Sequence, residues 1–381
     1  MKRIQSLRSR AATLCLAAIA ACATSAAPGT SGPASPAVAL LPVSHGLRVA
    51  EQYRVAAISS RRFSQEAYWQ AIQPSVSSGA LRAEEVGRPL QVRPIRPVTF
   101  GTGSTRVLLW SQMHGDEATA TMALADIFRF FAEATSDPLR ERLRERLTIV
   151  FVPMLNPDGA ELFQRENAAG IDINRDARQL ATPEGRTLKG LRDRIRPNFG
   201  FNLHDQGPRV LAGPRGKQVG IALLAPPFST DRSYDDVRSR ARLVAAVIAR
   251  TLGDGIFGRV ARYDGTFKPR AFGDLMQQWG TSTVLIESGA LPDDPEKQRL
   301  RALNVAGLLA ALDAIPTASY AKANPSAYES LTWRVPWSLR YGRMLKSTTV
   351  SPRPAVRTAV FTWLGTTTVP SYDHDGGTST L

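Results

Sequence analysis

Three side chains that can bind a divalent metal ion follow predicted strands of this 381-residue chain. His114 and Glu117 come after the candidate strand Val107–Gln112, and His204 comes directly after Phe199–Leu203. Functional groups collect at strand ends in α/β folds, and two ligands three residues apart on such a turn can face one point. Two histidines, one glutamate and an open fourth position are a catalytic zinc arrangement. The three residues therefore predict one Zn²⁺ ion per chain, although His-x-x-Glu by itself also occurs in plain surface turns.

A second carboxylate follows another predicted strand. Glu287 comes after the apolar segment Val284–Ile286 and before Ser288-Gly289. A carboxylate at the end of a buried strand is partly desolvated, which raises its pKa toward the range useful for proton transfer. Glu287 is thus a candidate general base; the alternative is a helix-capping or salt-bridged glutamate.

A turn and a polar segment lie between these groups in the sequence. Asn156-Pro157-Asp158-Gly159 closes the predicted buried strand Leu147–Leu155 and is also an ordinary turn sequence. Arg165 follows nine residues after the asparagine. The next polar residues alternate with apolar ones, so an extended backbone would point them to one side. A polar edge strand without a binding role would show the same pattern. These residues are Asp172, Asn174 and Arg175.

The elements that must position these residues alternate between strand and helix. From about residue 96 to 316 this alternation predicts an α/β layer architecture. A long helix is predicted over Ala118–Ala132, and another begins at Thr230-Asp231, which can cap it, and reaches Leu252. A closing helix is predicted over Pro295–Ile315.

The chain divides into five predicted segments. A lipoprotein-type signal peptide covers residues 1–21, a flexible tether 22–40 and a mostly helical N-terminal region 41–95. A catalytic domain at 96–316 precedes a small β-rich region at 317–381, rich in Pro, Ser, Thr and aromatic residues.

The first segment has the charge pattern of a secretory signal. Four basic residues precede the run Ala11–Ala21, which is shorter than the roughly 20 residues that span a bilayer. Ile19-Ala20-Ala21-Cys22 resembles a bacterial lipobox, which predicts a lipid anchor at Cys22; ordinary cleavage within Ala23–Ala27 is the alternative. Either reading predicts export, to the periplasm or the outer membrane of a Gram-negative bacterium.

Composition excludes several classes of protein. Lys and Arg number 48 against 33 Asp and Glu, a net charge of +15, with 43% hydrophobic and 21% charged residues. These values rule out a wholly disordered chain, a collagen-like repeat and a coiled coil. Two cysteines near the start exclude a disulfide scaffold. The arginines are scattered and match no nucleic-acid motif, so no nucleic-acid partner is predicted.

Taken in chain order, the motifs resemble the zinc metallocarboxypeptidases of the carboxypeptidase A type over about residues 80–316. Val86-Gly87-Arg88-Pro89 is similar to the start of this domain in bacterial members. The segments Ser111–Glu117 and Asn202–Gln206 resemble a bacterial envelope branch with poorly defined substrates. The resemblance implies a three-layer α/β/α sandwich around a mixed, mainly parallel eight-stranded sheet, with small additions at both ends.

The resemblance also implies roles around the metal. His114, Glu117 and His204 would hold the zinc, and Asp172 would accept the ring N–H of His114 and so fix its tautomer. Glu287 would be the general base for metal-activated water and would later return the proton to the leaving amine.

Further residues would bind the substrate. Arg165 would stabilise the oxyanion together with zinc, and Asn174 and Arg175 would bind the terminal carboxylate, which suits the planar arginine fork. Tyr263 matches the family's mobile substrate-contacting tyrosine; a strand-end tyrosine is the alternative. Asp274 lies in the region that shapes the side-chain pocket, where it would favour a basic residue.

Two positions depart from the digestive members of the family. Asp116 stands where those enzymes carry Arg, and Asp205 follows the third ligand where they have Ser. These departures bear on specificity more than on hydrolytic chemistry.

The function predicted is a zinc-dependent carboxypeptidase that removes a C-terminal residue from a peptide or muropeptide-like substrate with a free carboxylate. One alternative keeps the metal and cleaves N-acyl amino acids, as aspartoacylases do. Another is a non-catalytic lipoprotein that binds carboxylate ligands.

Overall fold

The computed structural model describes residues 40–338. Its strands are β1 (Leu81–Ala83), β2 (Val98–Phe100), β3 (Thr105–Ser111), β4 (Leu147–Val152), β5 (Phe199–Asp205), β6 (Val210–Ala212), β7 (Ile221–Leu224), β8 (Val260–Arg262), β9 (Ser282–Ser288) and β10 (Arg334–Pro336). Its α-helices are α1 (Val43–Gln52), α2 (Gln65–Val76), α3 (Thr119–Glu133), α4 (Pro138–Arg146), α5 (Pro157–Leu162), α6 (Pro183–Ile195), α7 (Asp236–Gly255), α8 (Phe272–Gln278), α9 (Gln298–Ala314) and α10 (Ser326–Glu329). Short 3₁₀ turns cover Ile173–Arg175 and Ser319–Lys322.

Within these residues the main sheet has eight strands in the order β1-β2-β4-β3-β5-β9-β7-β8. The central strands β4, β3, β5 and β9 are mutually parallel, β7 runs antiparallel to β9, and β1 and β2 add an antiparallel edge. This confirms the mixed, mainly parallel carboxypeptidase-like sheet. The carboxyl ends of β3, β5 and β9 lie side by side, which places the segments that follow them at one edge of the sheet.

Helices cover both faces of the sheet and complete the three layers. On one face Leu109 and Phe201 pack in a core shared with α3, α7 and α9. On the other face Leu108 and Trp110 pack against residues of α6 and α8. Because side chains alternate along a strand, strands buried on both faces read as continuous apolar runs. Strands β5 and β9 lie between the two helical layers, so they are buried at every position.

The helices of the N-terminal region pack on the first of these faces. Residues of α1 and α2 belong to the same core as α3 and α9. The Arg301–Asp126 ion pair is fully buried, and both partners bond to the backbone of Val55. This pair ties the segment between α1 and α2 to the helical layer. Strand β1, also from this region, extends the main sheet at its edge.

One predicted helix begins later than its sequence suggested. The expected cap at Thr230-Asp231 is wrong: α7 begins at Asp236, after Asp235, whose side chain accepts a hydrogen bond from the Arg238 N–H at 2.7 Å. Arg232 has a φ of 57°, a left-handed conformation that interrupts a right-handed helix. The Asp231 carboxylate instead bonds locally to Ser233.

The C-terminal residues that the structure describes add a small second sheet. Strand β10 pairs antiparallel with β6, in the register Arg334 to Ala212. The predicted signal peptide, Cys22 and nearly all of the tether lie outside the described residues, as do residues 339–381 of the predicted β-rich region. Over residues 40–338 the search for a bilayer-crossing helix, one both long and apolar enough, finds none.

Candidate active site

The three predicted metal ligands converge. Possible ligand atoms of His114, Glu117 and His204 all lie within 4.8 Å of one another, and the three side chains are buried. The Glu117 carboxylate lies between the two rings, 2.8 Å from His114 Nδ1 through one oxygen and 2.7 Å from His204 Nδ1 through the other. Residues 90 positions apart are thus brought together by adjacent strands β3 and β5.

The turn that carries His114 and Glu117 is shaped by its neighbours. Gln112, at the end of β3, has a φ of 49°, and its side-chain NH₂ donates to the Gly115 carbonyl at 2.8 Å. Gly115 lies against the backbone of the Asn156–Gly159 turn: a Cβ added there would lie 2.0 Å from the Gly159 carbonyl carbon. Only glycine allows this approach. The Asn-Pro-Asp-Gly turn therefore supports the metal-ligand turn directly.

The donor set fits a zinc ion. The two Nδ1 atoms of His114 and His204 are 3.2 Å apart, and two imidazole nitrogens on one tetrahedral zinc would be about 3.3 Å apart. His114 Nε2 lies 3.0 Å from Asp172 Oδ1. A proton on Nε2, shared with the carboxylate, leaves the Nδ1 lone pair directed at the cluster. The residues that would hold the ion are therefore His114, Glu117 and His204.

The electrostatics of the cluster also favour a cation. Burial opposes protonation of His114, yet the Glu117 charge and the hydrogen bond to Asp172 outweigh it and raise the pKa of His114 to about 9. Burial disfavours the Glu117 carboxylate, but His114 and His204 hold the pKa of Glu117 well below its usual value. Burial lowers the pKa of His204, which keeps that ring in the neutral, metal-binding form. A site that holds a proton this strongly also attracts a divalent cation.

The segment of Asp172, Asn174 and Arg175 has a different conformation from the predicted one. The extended backbone is wrong: Ile173–Arg175 form a 3₁₀ turn, because the Asp172 carboxylate accepts the Asn174 N–H at 2.8 Å and caps it. The Asn174 side-chain oxygen accepts the Phe272 N–H of α8 at 3.0 Å, which leaves its NH₂ group as the part that can donate to an anion. Asn174 and Arg175 both line the same cavity as the metal ligands.

Arg165 lies beside the ligand cluster. Its guanidinium contacts Asp172 Oδ2 at 2.8 Å and Glu117 at 3.3 Å. The Asn156 side chain donates to the carbonyls of Arg165 and Glu166, at 3.4 and 3.2 Å. The asparagine of the turn therefore fixes the backbone that carries this arginine.

Glu287 lies at the end of β9, with His204 as its register partner on β5. It is buried, and its Oε2 has no hydrogen-bond partner among residues 40–338. Burial, followed by the negative charge of Glu117, raises the pKa of Glu287 to about 8. This agrees with the desolvation expected for a carboxylate at the end of a buried strand.

A single cavity joins these groups. All the predicted ligand, catalytic and substrate-binding residues line it, whereas Asp172 lies behind His114. Tyr263 lines it from the end of β8, and Lys268 and Asp274 line it near α8. Asp274 accepts the Lys268 N–H at 2.8 Å, and burial raises the pKa of Asp274 to about 7.

Sequence reasoning missed a buried ion pair behind the site. Lys297 Nζ contacts Asp205 Oδ2 at 2.9 Å and the Ser288 carbonyl at 3.3 Å, and the Thr119 hydroxyl donates to the same carboxylate at 2.6 Å. The pair joins the residues that directly follow His204 and Glu287. Asp205 departs from the digestive enzymes in the sequence itself, but no local signal points to a lysine 92 positions away.

Comparisons with known proteins agree with this geometry. A family model described as "Zinc carboxypeptidase" matches residues 66–205, a range that includes the three metal ligands and ends before Glu287. Carboxypeptidase 2 of Trichophyton tonsurans is 28% identical over 159 residues, which is 42% of this chain and 29% of that protein. The chain thus spans less than a third of the length of the curated relative.

Two solved structures share the fold. The metallo-carboxypeptidase from Burkholderia cenocepacia superposes with a TM-score of 0.54 and 19% identity, over 68% of this chain and 70% of that chain. The metallo-carboxypeptidase from Pseudomonas aeruginosa gives a TM-score of 0.53 and 18% identity over the same shares. At these identities the likeness concerns the architecture.

Proposed function

We propose that this chain is a zinc carboxypeptidase, which removes the C-terminal residue of peptides by metal-assisted hydrolysis. The observation that carries this proposal is one cavity lined by a His-Glu-His cluster, a buried second glutamate and arginines that can bind carbonyl and carboxylate oxygens. Held by His114, Glu117 and His204, a zinc ion would supply Lewis acidity that polarises a carbonyl and lowers the pKa of water.

Glu287 moves the proton. Its Oε2 has no other partner in the described part of the chain and lies in the cavity wall, so it can accept a proton from the attacking water. The same carboxyl then donates this proton to the leaving amine. A pKa near neutrality suits a group that must both accept and donate a proton, and burial gives Glu287 a pKa of about 8.

The cationic residues orient the substrate. Arg165 lies beside the ligands, where its guanidinium can donate to the carbonyl oxygen as negative charge develops there. Asn174 and Arg175 present donors to the terminal carboxylate, which makes the enzyme an exopeptidase. A peptide amide has no such carboxylate and would bind poorly.

The residue removed is proposed to be basic or to carry an amine. Asp274 lines the cavity next to Asn174 and Arg175, and its carboxylate can pair with a cationic side chain. Peptidoglycan stem peptides, some of which carry an amine, are the substrate class that we favour within this range. The cationic chain attracts their carboxylates, and the protein is proposed to act in the cell envelope.

The direct test compares an N-acylated peptide with its C-terminal amide, using zinc-loaded wild type and Glu287→Gln. We expect the free acid to be cleaved and the amide to be cleaved at least about 100-fold more slowly, since charge-assisted contacts to the carboxylate are lost. Glu287→Gln should lose at least about 100-fold in kcat, the usual contribution of a general base. Equal cleavage of acid and amide would refute the exopeptidase assignment, and cleavage of acyl amino acids alone would indicate a deacylase.

We also propose export and lipid anchoring at Cys22, from the basic and apolar pattern of the first 22 residues. Fractionation of cells that express wild type or Cys22→Ala, with labelling by a radioactive fatty acid, tests this. We expect a labelled, membrane-associated wild type and an unlabelled variant. A soluble, unlabelled wild type in the periplasm would instead support the cleavage site within Ala23–Ala27.

A further inference from the structure

The described C-terminal end of the chain contacts the end of β8, beside the cavity, and the loops that follow β5 and β6. We call Thr332–Trp337 the C-terminal strap. The carbonyl of its first residue accepts the Arg262 N–H at 2.8 Å, and the next carbonyl accepts the Gly213 N–H at 3.0 Å. The N–H of its last residue donates to the Arg209 carbonyl at 2.9 Å. The strap therefore joins the end of β8 to the loop that follows metal ligand His204.

Side chains of the strap interleave with those at the end of β8. The Arg262 guanidinium lies between two rings, 4.7 Å from the centroid of Tyr328 and 4.2 Å from that of Trp333. The next residue, Tyr263, has the reverse arrangement: its ring faces the guanidinium of Arg334 at 3.7 Å. Arg262 and Tyr263, of which Tyr263 lines the cavity, thus make cation–π contacts with the C-terminal end of the described chain.

Among the described residues, Arg334 has one further side-chain contact, at the limit of hydrogen-bond distance. Its Nη1 lies 3.5 Å from the buried side-chain oxygen of Gln206, whose backbone N–H donates to the Ser288 carbonyl at 2.9 Å. The Tyr263 N–H donates to the Leu223 carbonyl at 2.9 Å. Tyr263 is therefore attached to β7 of the main sheet, while Arg334 lies on β10 of the second sheet and reaches the main sheet through Gln206.

We propose that Arg334 is a positioning residue that holds the Tyr263 ring in the cavity wall before substrate binds. The inference rests on the proposed function, because it assigns the tyrosine a contact with the peptide. The strap makes that contact preformed, so binding does not have to order the ring. Arg334 acts through Tyr263 and is itself not among the residues that line the cavity.

The kinetic effect follows from the strength of the stacking. A cation–π contact contributes about 0.5–2 kcal/mol, so Arg334→Ala should raise KM by about 3- to 30-fold. The contact is made in both ground and transition states, so kcat should stay within about twofold at a pH where Glu287 is ionised in both proteins, since the Arg334 charge also lowers the pKa of Glu287. Arg334→Lys, which keeps a cation over the ring, should raise KM less than Arg334→Ala does. Arg215→Ala removes an exposed arginine from the loop between β6 and β7 and is the matched control.

Nitration of tyrosines by tetranitromethane, mapped by mass spectrometry, tests the inference without any enzymatic activity. In wild type we expect Tyr263 to react more slowly than Tyr234, which is 39% exposed and serves as the internal reference. In Arg334→Ala the ratio of Tyr263 nitration to Tyr234 nitration should rise, and in Arg215→Ala this ratio should not change. An unchanged ratio in Arg334→Ala would overturn the inference even if peptide cleavage is confirmed.

A double mutant separates the two possible routes of action. In a Tyr263→Ala background, Arg334→Ala should have no further effect on KM, because the residue it positions is gone. A full additional rise in KM, or a fall in kcat with KM unchanged, would mean that Arg334 acts directly on Glu287 or on the substrate. Either result would also overturn the inference. If no peptide is cleaved by wild type, the proposed function fails, and the nitration ratios still decide the positioning role.

Discussion

Gly115→Ala should disable the site without touching a single proposed catalytic or ligand side chain. The added Cβ would lie 2.0 Å from the Gly159 carbonyl carbon and 2.2 Å from the Ala160 nitrogen, whereas real Cβ atoms essentially never come within 3.0 Å of such atoms. Both contacts are backbone, so the His114 turn must move by at least about 1 Å. A misplacement of this size costs about 100-fold in rate, and overpacking costs about 1–3 kcal/mol of stability.

The assay separates folding, metal binding and turnover. We expect Gly115→Ala to lower the free energy of unfolding of the metal-free protein by about 1–3 kcal/mol, and to lower kcat/KM about 100-fold at saturating zinc. Gly190→Ala is the matched control: its Cβ would meet nothing within 4 Å, and alanine within α6 should stabilise by about 0.5–1 kcal/mol. Wild-type zinc affinity and activity in Gly115→Ala would refute the close packing of the two turns as a requirement of the site.

Three further outcomes follow from the geometry. Asp172→Ala should weaken zinc binding by about 10- to 100-fold, because the ring of His114 loses its partner; competition with a chromophoric chelator measures this, and unchanged affinity would argue against the contact. Burial raises the pKa of Asp274 to about 7, so its carboxylate ionises as the pH rises from 6 to 8. The ratio of kcat/KM for Lys-ended peptides to that for Leu-ended peptides should therefore rise about tenfold over that range. Asp274→Asn should abolish the rise. Asp126→Ala should cost about 3–5 kcal/mol in urea unfolding by leaving the Arg301 charge buried and unpaired, and Asp126→Ala combined with Arg301→Met should recover most of that loss.

Much of the site could be predicted because its residues follow strands. Continuous apolar runs identify buried parallel strands, and parallel strands bring their carboxyl ends to one edge. His114, His204 and Glu287 each follow such a strand, so their convergence needed only the strand order. The desolvation of Glu287 followed from the same reasoning.

The parts that were wrong or missed depend on local hydrogen bonds and distant partners. The Asp172 side chain caps a 3₁₀ turn, and this bond overrides the alternation that suggested an extended segment. Arg334 and Tyr263 lie on different sheets, and Lys297 and Asp205 are 92 residues apart. No local pattern in the sequence carries such pairings, since they arise only once the strands and loops are in place.

Zinc content after exhaustive dialysis is the most direct measurement. Wild type and Glu287→Gln should each retain one zinc per chain, while His204→Ala should retain none, because only two of the three converging ligands remain. Wild-type zinc content in His204→Ala, or loss of the metal in Glu287→Gln, would contradict the assignment of ligands and base.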